Sequence, residues 1–493
     1  MIKKLQNSEI MEKFLFLKKK YDNLSVQLRA SFWFLVCSVL QKGISVISTP
    51  IFTRLFTTSE YGQFQVFNSW LSIVTVFVTL QLTAGVYTMG IVKFKEEEKI
   101  FTSSLQGLAL TMCLIWTVVY FISRDFWNSL FNLTTVQMLS MMVMIWATEA
   151  FTFWMTTQRN SFRYKELVIV TLIVSILKPT VGVFFVINAN DKVTARILGL
   201  ALVELICYSS FFIIQMKQGK VFYSSKYWKY AILFNLPLIP HYLSGTVLSS
   251  SDRIMIQRLN GDSYAGIYSL AYSIARLMNM ISDALNKTMS PWLYQKIRSR
   301  QFDKMPKAVY GSLIIIAICN IILIAVAPEI VTVFAPEEYH DAIYAIVPVA
   351  LSSFFTYMYL CFAPFEFYYE KRIWTTIGTM VSAVLNIALN YIFIPIFGYI
   401  AAGYTTLLCY ILYAIFHFLI MRRVCKSYID NLKPYNTGLL IGMSLAFLGI
   451  GLLFIPIYKL PIIRYSIITI VFISVALKWK GIKTVVNEIM IMK

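Results

Sequence analysis

The chain carries little charge and few of the residues that do chemistry. Only 14% of its 493 residues are Asp, Glu, Lys or Arg, where a soluble domain carries about 25%. Such a chain cannot clothe a water-facing surface. Its three histidines, His241, His340 and His417, stand far apart, with no H-E-x-x-H and no zinc-ligand spacing. No metal and no other cofactor is therefore expected. There is no G-x-x-x-x-G-K-[ST], which excludes ATP hydrolysis through a P-loop. The seven cysteines, at 37, 113, 207, 319, 361, 409 and 425, fall almost all in apolar runs and show no C-x-x-C. They read as buried structural thiols. Acidic residues are scarce beside basic ones, 24 against 44, for a net charge of +20. In a soluble protein that excess would suggest nucleic acid. Its distribution here points elsewhere.

What the chain has in abundance is apolar sequence, 58% of all residues. A bilayer is crossed by about 20 apolar residues of helix. The apolar runs predict an all-α polytopic membrane protein with fourteen spans. The first six are 31–53, 64–90, 103–123, 136–158, 167–188 and 195–216. The next six are 228–251, 263–290, 309–335, 341–365, 373–397 and 399–421, and the last two are 436–458 and 461–479. With the N-terminus placed in the cytoplasm, 32 Lys and Arg fall in cytoplasmic segments, 8 in outer segments and 4 within spans. The positive-inside rule then puts both termini in the cytoplasm. No cleavable signal is expected, because Phe14-Leu15-Phe16-Leu17 is too short and runs into Lys18-Lys19-Lys20. Outer loops stay near a dozen residues, which leaves no room for a catalytic domain.

The chain repeats itself. Arg54-Leu55, a polar turn, then Tyr61-Gly62 and Phe64 link spans 1 and 2. Arg258-Leu259, a polar turn, then Tyr264, Gly266 and Tyr268 link spans 7 and 8. The two places lie six spans apart, so the repeats share one orientation. The expected layout is a basic cytoplasmic segment 1–30, an N-lobe 31–216, a basic aromatic linker 217–230, a C-lobe 231–421, and 422–493 with two added spans and a cytoplasmic tail. Parallel repeats are a recurring transporter plan, with the substrate path between lobes.

Charges inside spans are the candidates for function, since each costs roughly 2.5–3.5 kcal/mol at mid-bilayer on insertion scales. Span 8 places Arg276, Met280, Asp283 and Lys287 on one helical stripe. It reads as a cationic cavity wall or as an ion pair locking span 8 to a neighbour. Span 1 places Lys42, Ser45, Thr49 and Thr53 on one polar face. Glu149 in span 4 and Glu204 in span 6 are coupling sites or partners of Lys42 or Lys178. Lys178 precedes Pro179 and reads as serving a kink. Asp252 and Arg253 close span 7, either as a coupling site or as a local salt bridge. Asn386 and Asn390, four apart, read as making interhelical hydrogen bonds, and His241 as a satisfied interior side chain. The embedded charges count as four basic and three acidic, whereas a cation antiporter calls for an acidic cavity.

From Ile373 to Met421 the chain has no Asp, Glu, Lys or Arg. Within it, Asn-Ile-Ala-Leu-Asn-Tyr-Ile-Phe-Ile-Pro over 386–395 is followed by Phe-Gly-Tyr-Ile-Ala-Ala-Gly-Tyr-Thr-Thr over 397–406. This hairpin resembles one in the second half of the polysaccharide flippases of the Wzx type. That family belongs to the exporter superfamily that also holds the multidrug MATE transporters. The resemblance implies two six-helix bundles around a cavity lined with basic residues, here Lys42, Arg276 and Lys287. It implies coupling or charge pairing at Glu149, Glu204, Asp283 or Asp252, and a groove for a polyprenyl tail along the last two spans. The expected cargo is an undecaprenyl-pyrophosphate-linked oligosaccharide, flipped to the outer leaflet of a bacterial cell membrane for O-antigen, capsule or related polysaccharide. Membrane lipids and other polysaccharide-assembly proteins are the expected partners, and nucleic acid is not. The rivals are a peptidoglycan-precursor flippase, a cation-coupled drug antiporter and, in another class, a membrane polysaccharide polymerase.

Overall fold

The computed structural model describes residues 25–371 and 373–477. Most of the basic segment 1–30, up to residue 24, and the tail from 478 lie outside the described residues. The described chain is helical throughout. Its helices are α1 (Val26–Leu55), α2 (Thr58–Thr79), α3 (Val86–Lys93), α4 (Glu98–Ile122), α5 (Arg124–Phe131), α6 (Thr135–Asn160), α7 (Tyr164–Ile187), α8 (Lys192–Gly219) and α9 (Ser225–Asn235). They continue with α10 (Ile239–Asn260), α11 (Asp262–Ala275), α12 (Leu277–Arg298), α13 (Met305–Ala325), α14 (Ala327–Phe334), α15 (Ala342–Tyr368), α16 (Ile373–Phe397), α17 (Ala401–Tyr428), α18 (Thr437–Ile457) and α19 (Pro461–Leu477).

Local chemistry sets the ends. Thr134 and Gln137 form a reciprocal capping box that opens α6. Asp191 caps α8 and Asn436 caps α18 through their side-chain oxygens. Gly398, at φ +74°, turns α16 into α17, a conformation glycine adopts without a Cβ penalty. Its N–H donates to the Ile394 carbonyl at 2.9 Å, which closes the turn of the hairpin.

Eleven helical segments among the described residues are long and apolar enough to span a bilayer. The three of the fourteen expected spans that fall short are instructive. Span 2 is interrupted between Thr79 and Val86, and span 8 between Ala275 and Leu277. The last span is a shorter apolar helix.

The chain forms two compact units. The first comprises residues up to Phe52 together with Thr75–Pro237, and the second Thr53–Val74 with Leu238 onward. The helix α2 is thus divided between them, and most of it clusters with the second unit. In the first unit α8 packs against α4, α6 and α7. In the second, α15 packs against α11, α12, α13, α17 and α18. A common order recurs within the two halves: an interrupted second span, a long span, an eight-residue helix (α5, α14), then the most enclosed span (α6, α15). The glycines of the repeated motif meet each other where α2 crosses α11. A Cβ on Gly62 would lie 1.9 Å from the Asp262 carbonyl oxygen, and one on Gly266 2.1 Å from that of Thr58.

Candidate functional site

The densest polar constellation lies in the second unit, around Asp252 on α10. This carboxylate is 1% exposed. Its Oδ2 accepts from the Tyr268 and Thr406 hydroxyls, each at 2.8 Å, and its Oδ1 from Asn390 Nδ2 at 2.8 Å. Asn390 also donates to Asn386 Oδ1, which accepts from Ser251 as well. The Thr405 hydroxyl donates to Asn390 Oδ1. Seven side chains on α10, α11, α16 and α17 are joined in one buried network. The Asn386 and Asn390 pair makes the interhelical bonds that its four-residue spacing suggested. Asp252 is held by neutral donors, while its neighbour Arg253 donates to the Ser249 carbonyl and lies 4.1 Å over the Tyr272 ring.

Tyr272 links this network to the basic stripe. The Arg276 guanidinium lies 5.7 Å from the centroid of the same ring. Arg276 sits in the tight turn where α11 gives way to α12, and the Asn279 N–H donates to its carbonyl at 3.0 Å. Arg276, Asp283 and Lys287 are exposed, whereas Met278, Ser282, Met289 and Trp292 on α12 are buried. The stripe therefore occupies the outward face of its helix. In the first unit, Lys42 and Ser45 on α1 are exposed and Thr49 is half-buried. Thr53, at the helix end in the second unit, is fully buried and donates to the Phe334 carbonyl.

The first unit separates its two acids. Glu204 on α8 is paired: Lys178 Nζ donates to its Oε1 at 2.6 Å and the Thr148 hydroxyl to its Oε2 at 3.1 Å. Lys178 also lies over the Tyr208 ring. The Lys178 carbonyl is met by Arg196 Nη1 at 3.0 Å. Arg196, counted in the sequence among outer charges, is 7% exposed and stacks on Phe52. Glu149 on α6 has no such cation. The Thr83 hydroxyl donates to its Oε2 at 3.3 Å, and its Oε1 is buried without a hydrogen-bond partner.

Sequence reasoning missed a further pair. Glu366, taken as a loop residue, lies inside α15 and is 0% exposed. His417 Nδ1 donates to its Oε1 at 2.6 Å, and the Thr375 hydroxyl to its Oε2 at 3.3 Å. His241 was read as satisfied, and its Nδ1 is 3.0 Å from the Thr379 hydroxyl. These placements change the charge tally. Among the described residues, the buried Asp, Glu, Lys and Arg side chains are Glu149, Glu204, Glu366 and Asp252 against Arg196, Arg253 and Arg464. The buried interior of the described residues thus carries no basic excess.

An apolar groove of about 400 Å³ runs between α15, α17 and α18, lined by Phe355, Phe362, Phe418, Leu419, Ile441 and Leu445 among others. Of the last two spans, along which the resemblance implies a groove, α18 lines this one.

Residues 28–296 match the model of a family described as polysaccharide biosynthesis protein, and residues 237–392 match the MatE family. The chain is similar to a protein of the Lsg locus of Haemophilus influenzae, 24% identical over 206 residues. That match spans 40% of this chain and about half, 51%, of the relative. Among solved structures, the lipid II flippase MurJ in an inward closed conformation superposes with a TM-score of 0.68 at 13% identity, over 91% of this chain and 99% of that one. An inward-facing multidrug resistance MATE transporter superposes with a TM-score of 0.60 at 13% identity, over 78% of this chain and 95% of that one. These likenesses establish a multi-pass membrane fold of the MurJ and MATE kind. With more than half its length matched, the chain belongs to the polysaccharide biosynthesis protein family.

Proposed function

We propose that the protein flips an undecaprenyl-pyrophosphate-linked oligosaccharide repeat unit from the cytoplasmic to the outer leaflet of a bacterial cell membrane, for surface polysaccharide assembly. It does so by alternating access between two parallel six-helix repeats with two added helices, and with both termini in the cytoplasm. The reading is of a transporter, not an enzyme. One observation carries it. Arg276 and Lys287 stand on the exposed face of the interrupted eighth span, with Asp283 between them. Charges in a membrane span normally face a polar path, because lipid cannot solvate them. A guanidinium held over an aromatic ring presents its donors in a planar fork suited to phosphate oxygens. Arg276, with Lys42 and Lys287, would neutralise the pyrophosphate. The apolar groove beside α18 has the lining that a polyprenyl or acyl chain prefers.

Coupling falls to the acids. Glu149 keeps an unpartnered oxygen, whereas Glu204 is committed to Lys178. Asp252 is committed to neutral donors, and Asp283 belongs to the exposed stripe. The likeness to the lipid II flippase favours a second reading, a peptidoglycan precursor as cargo. Both cargoes carry a polyprenyl pyrophosphate and differ in the sugar. The MatE match over 237–392 supports the drug-antiporter alternative less well, since the exposed stripe is net basic.

The test is the leaflet distribution of radiolabelled lipid-linked oligosaccharide in cells lacking the protein. Complete repeat units should accumulate on the cytoplasmic leaflet, and Arg276→Ala should fail to restore delivery while still inserting in the membrane. Normal delivery with short unpolymerised chains outside would reject the flippase and revive the polymerase.

A further inference from the structure

The linker between the repeats is not slack. Its residues and the loop 93–99 belong to the first unit, and main chain meets main chain where they cross. A Cβ on Gly219 would lie 2.1 Å from the Lys99 carbonyl oxygen, and one on Gly107 2.1 Å from that of Phe222. Trp228 Nε1 donates to the Ser104 carbonyl at 2.8 Å. At the far end of α9, Asn235 Nδ2 donates to the carbonyls of Leu80 and Gln81, residues held at φ of +49° and +51°. Between these ties α9 packs against α3, and Tyr227 and Ala231 share one core cluster with Val86 and Ile91.

Two ammonium groups gather at this seam. Phe94 lies at its centre, with the Tyr227 and Tyr230 rings at 5.2 and 5.3 Å. Lys93 Nζ stands 5.5 Å from the Phe94 centroid and 4.6 Å from that of Tyr230. Lys226 Nζ stands 5.3 Å from the Phe94 centroid and 4.9 Å from that of Tyr227. Both lysines are exposed. Glu97 Oε2 accepts from Lys226 Nζ at 2.7 Å and from the Tyr227 hydroxyl. Among the described residues, Lys93 meets rings and no carboxylate. Two positive charges around one ring repel, and one glutamate offsets only one of them. An ammonium held over an aromatic face still has N–H donors for an anion, and the rings hold it in place beforehand. The surroundings are basic too. The loop 93–99 matches three lysines with three glutamates, while the linker adds Lys217, Lys220, Lys226 and Lys229 with no acid.

The order of residues along α9 says which anion fits. Lys226, Lys229, Leu233 and Leu236 recur at spacings of three and four, and all four are exposed. One stripe thus runs from charge to hydrocarbon. On α3, Met89 and Val92 are exposed beside Lys93. Phe222 and Tyr223 are exposed at the charged end, and tyrosine is enriched at headgroup level in a bilayer. A free phosphate would meet the charges and leave the apolar part of the stripe uncovered. A phospholipid covers both. We propose that Lys93 and Lys226, with Lys229 beside them, bind the phosphodiester headgroup of an acidic phospholipid, whose acyl chain runs along Leu233 and Leu236. Basic pockets beside spans on the cytoplasmic side take such headgroups, and the topology proposed above puts the linker on that side. Helix α9 ends two residues before Pro237, where the chain leaves the first unit. The lipid therefore fastens the connection between the units to the membrane.

The full chain, purified in detergent, is titrated with phosphatidylglycerol or with phosphatidylcholine of the same acyl chains. Retained lipid is counted by native mass spectrometry. Saturable retention of phosphatidylglycerol over phosphatidylcholine is expected. Lys93→Gln combined with Lys226→Gln should weaken it roughly 25-fold, about fivefold for each lysine. Lys95→Gln combined with Lys99→Gln removes the same charge from exposed positions nearby and should change it little. Glu97→Gln, which frees Lys226, should tighten it. No preference for phosphatidylglycerol in the wild type overturns the proposal. So does an equal loss in the two lysine pairs, which would mean diffuse attraction without a site. Displacement of phosphatidylglycerol by equimolar undecaprenyl pyrophosphate would make this a cargo site and overturns it too. If the Lys93 and Lys226 variant does not fold, Glu97→Gln decides: tighter retention supports the site, and unchanged or weaker retention rejects it. Binding is read without transport, so its failure leaves flipping standing.

Discussion

The crossing of α2 and α11 makes a sharp prediction about Gly62. An alanine there would put a methyl carbon 1.9 Å from the Asp262 carbonyl oxygen and 2.8 Å from the Gly266 amide nitrogen. Both are main-chain atoms, so no side chain can swing aside. The two backbones must part by more than 1 Å to reach even a tight contact. Overpacking of this kind costs about 1–3 kcal/mol. Parting also stretches the Thr58 and Ser263 hydroxyl pair and the bond from Gln63 Nε2 to Asp262, worth roughly 0.6 kcal/mol each in a membrane protein. Against this, alanine improves helix propensity by about 1 kcal/mol. The net loss is about 1–3 kcal/mol, read as a lower unfolding midpoint in detergent. Gly266→Ala should behave alike. The double variant should cost clearly less than the sum, since one separation relieves both clashes. Gly245→Ala and Gly442→Ala are the controls, because nothing lies within 4 Å of a methyl at either. They should leave the midpoint unchanged or raise it. If Gly62→Ala melts like Gly245→Ala, the two helices do not meet at these glycines.

Two further outcomes follow from buried charge. Lys178→Met or Glu204→Leu alone should destabilise by about 3–5 kcal/mol, the cost of leaving one buried charge unpaired, while the double variant costs much less. Equal melting of both singles and the double would show that the 2.6 Å pair does not couple. Asp252→Asn should lower the midpoint by about 1–3 kcal/mol, because one carboxylate oxygen becomes an amino group facing donors. An unchanged midpoint would mean that Tyr268, Thr406 and Asn390 do not all donate to it.

How much of this was legible beforehand depends on whether the signal was local. Eleven of the fourteen apolar runs and the Asn386 and Asn390 spacing are properties of neighbouring residues, and they read correctly. The partners of those asparagines are not. Asp252 lies 138 residues from Asn390 in sequence, and only packing brings them together. Glu366 shows how small an error suffices. Ending span 10 at residue 365 put that acid in a loop, yet α15 runs on to Tyr368 and buries it against His417. Arg196 shows the reverse: a charge one turn into a helix looks peripheral, yet stacks within the first unit on Phe52. It fits because Gly182 has no side chain, since a Cβ there would lie 1.4 Å from its Nη1.

The interruption in span 2 lay deepest, because nothing in Val78-Thr79-Leu80-Gln81-Leu82 advertises it. Leucine and glutamine are good helix formers, and the nearest glycine, Gly85, comes only at the far end of the turn. A helix read from propensity would run straight through. What holds it open is Asn235, which occupies the Leu80 and Gln81 carbonyls from more than 150 residues away. Two amide hydrogen bonds and the burial of Leu82 offset the strain of two left-handed residues. Replacing Asn235 with leucine removes the donors and keeps the bulk, so the turn should relax and span 2 should gain helix. Amide hydrogen exchange across 79–85 would detect it: slower exchange in the variant supports this account, and unchanged exchange would mean that the turn is imposed elsewhere. Strain that local sequence disfavours and a distant side chain maintains is what a conformational or binding role would require. The same residue that makes the turn unreadable from the sequence therefore identifies it as the place to look for function.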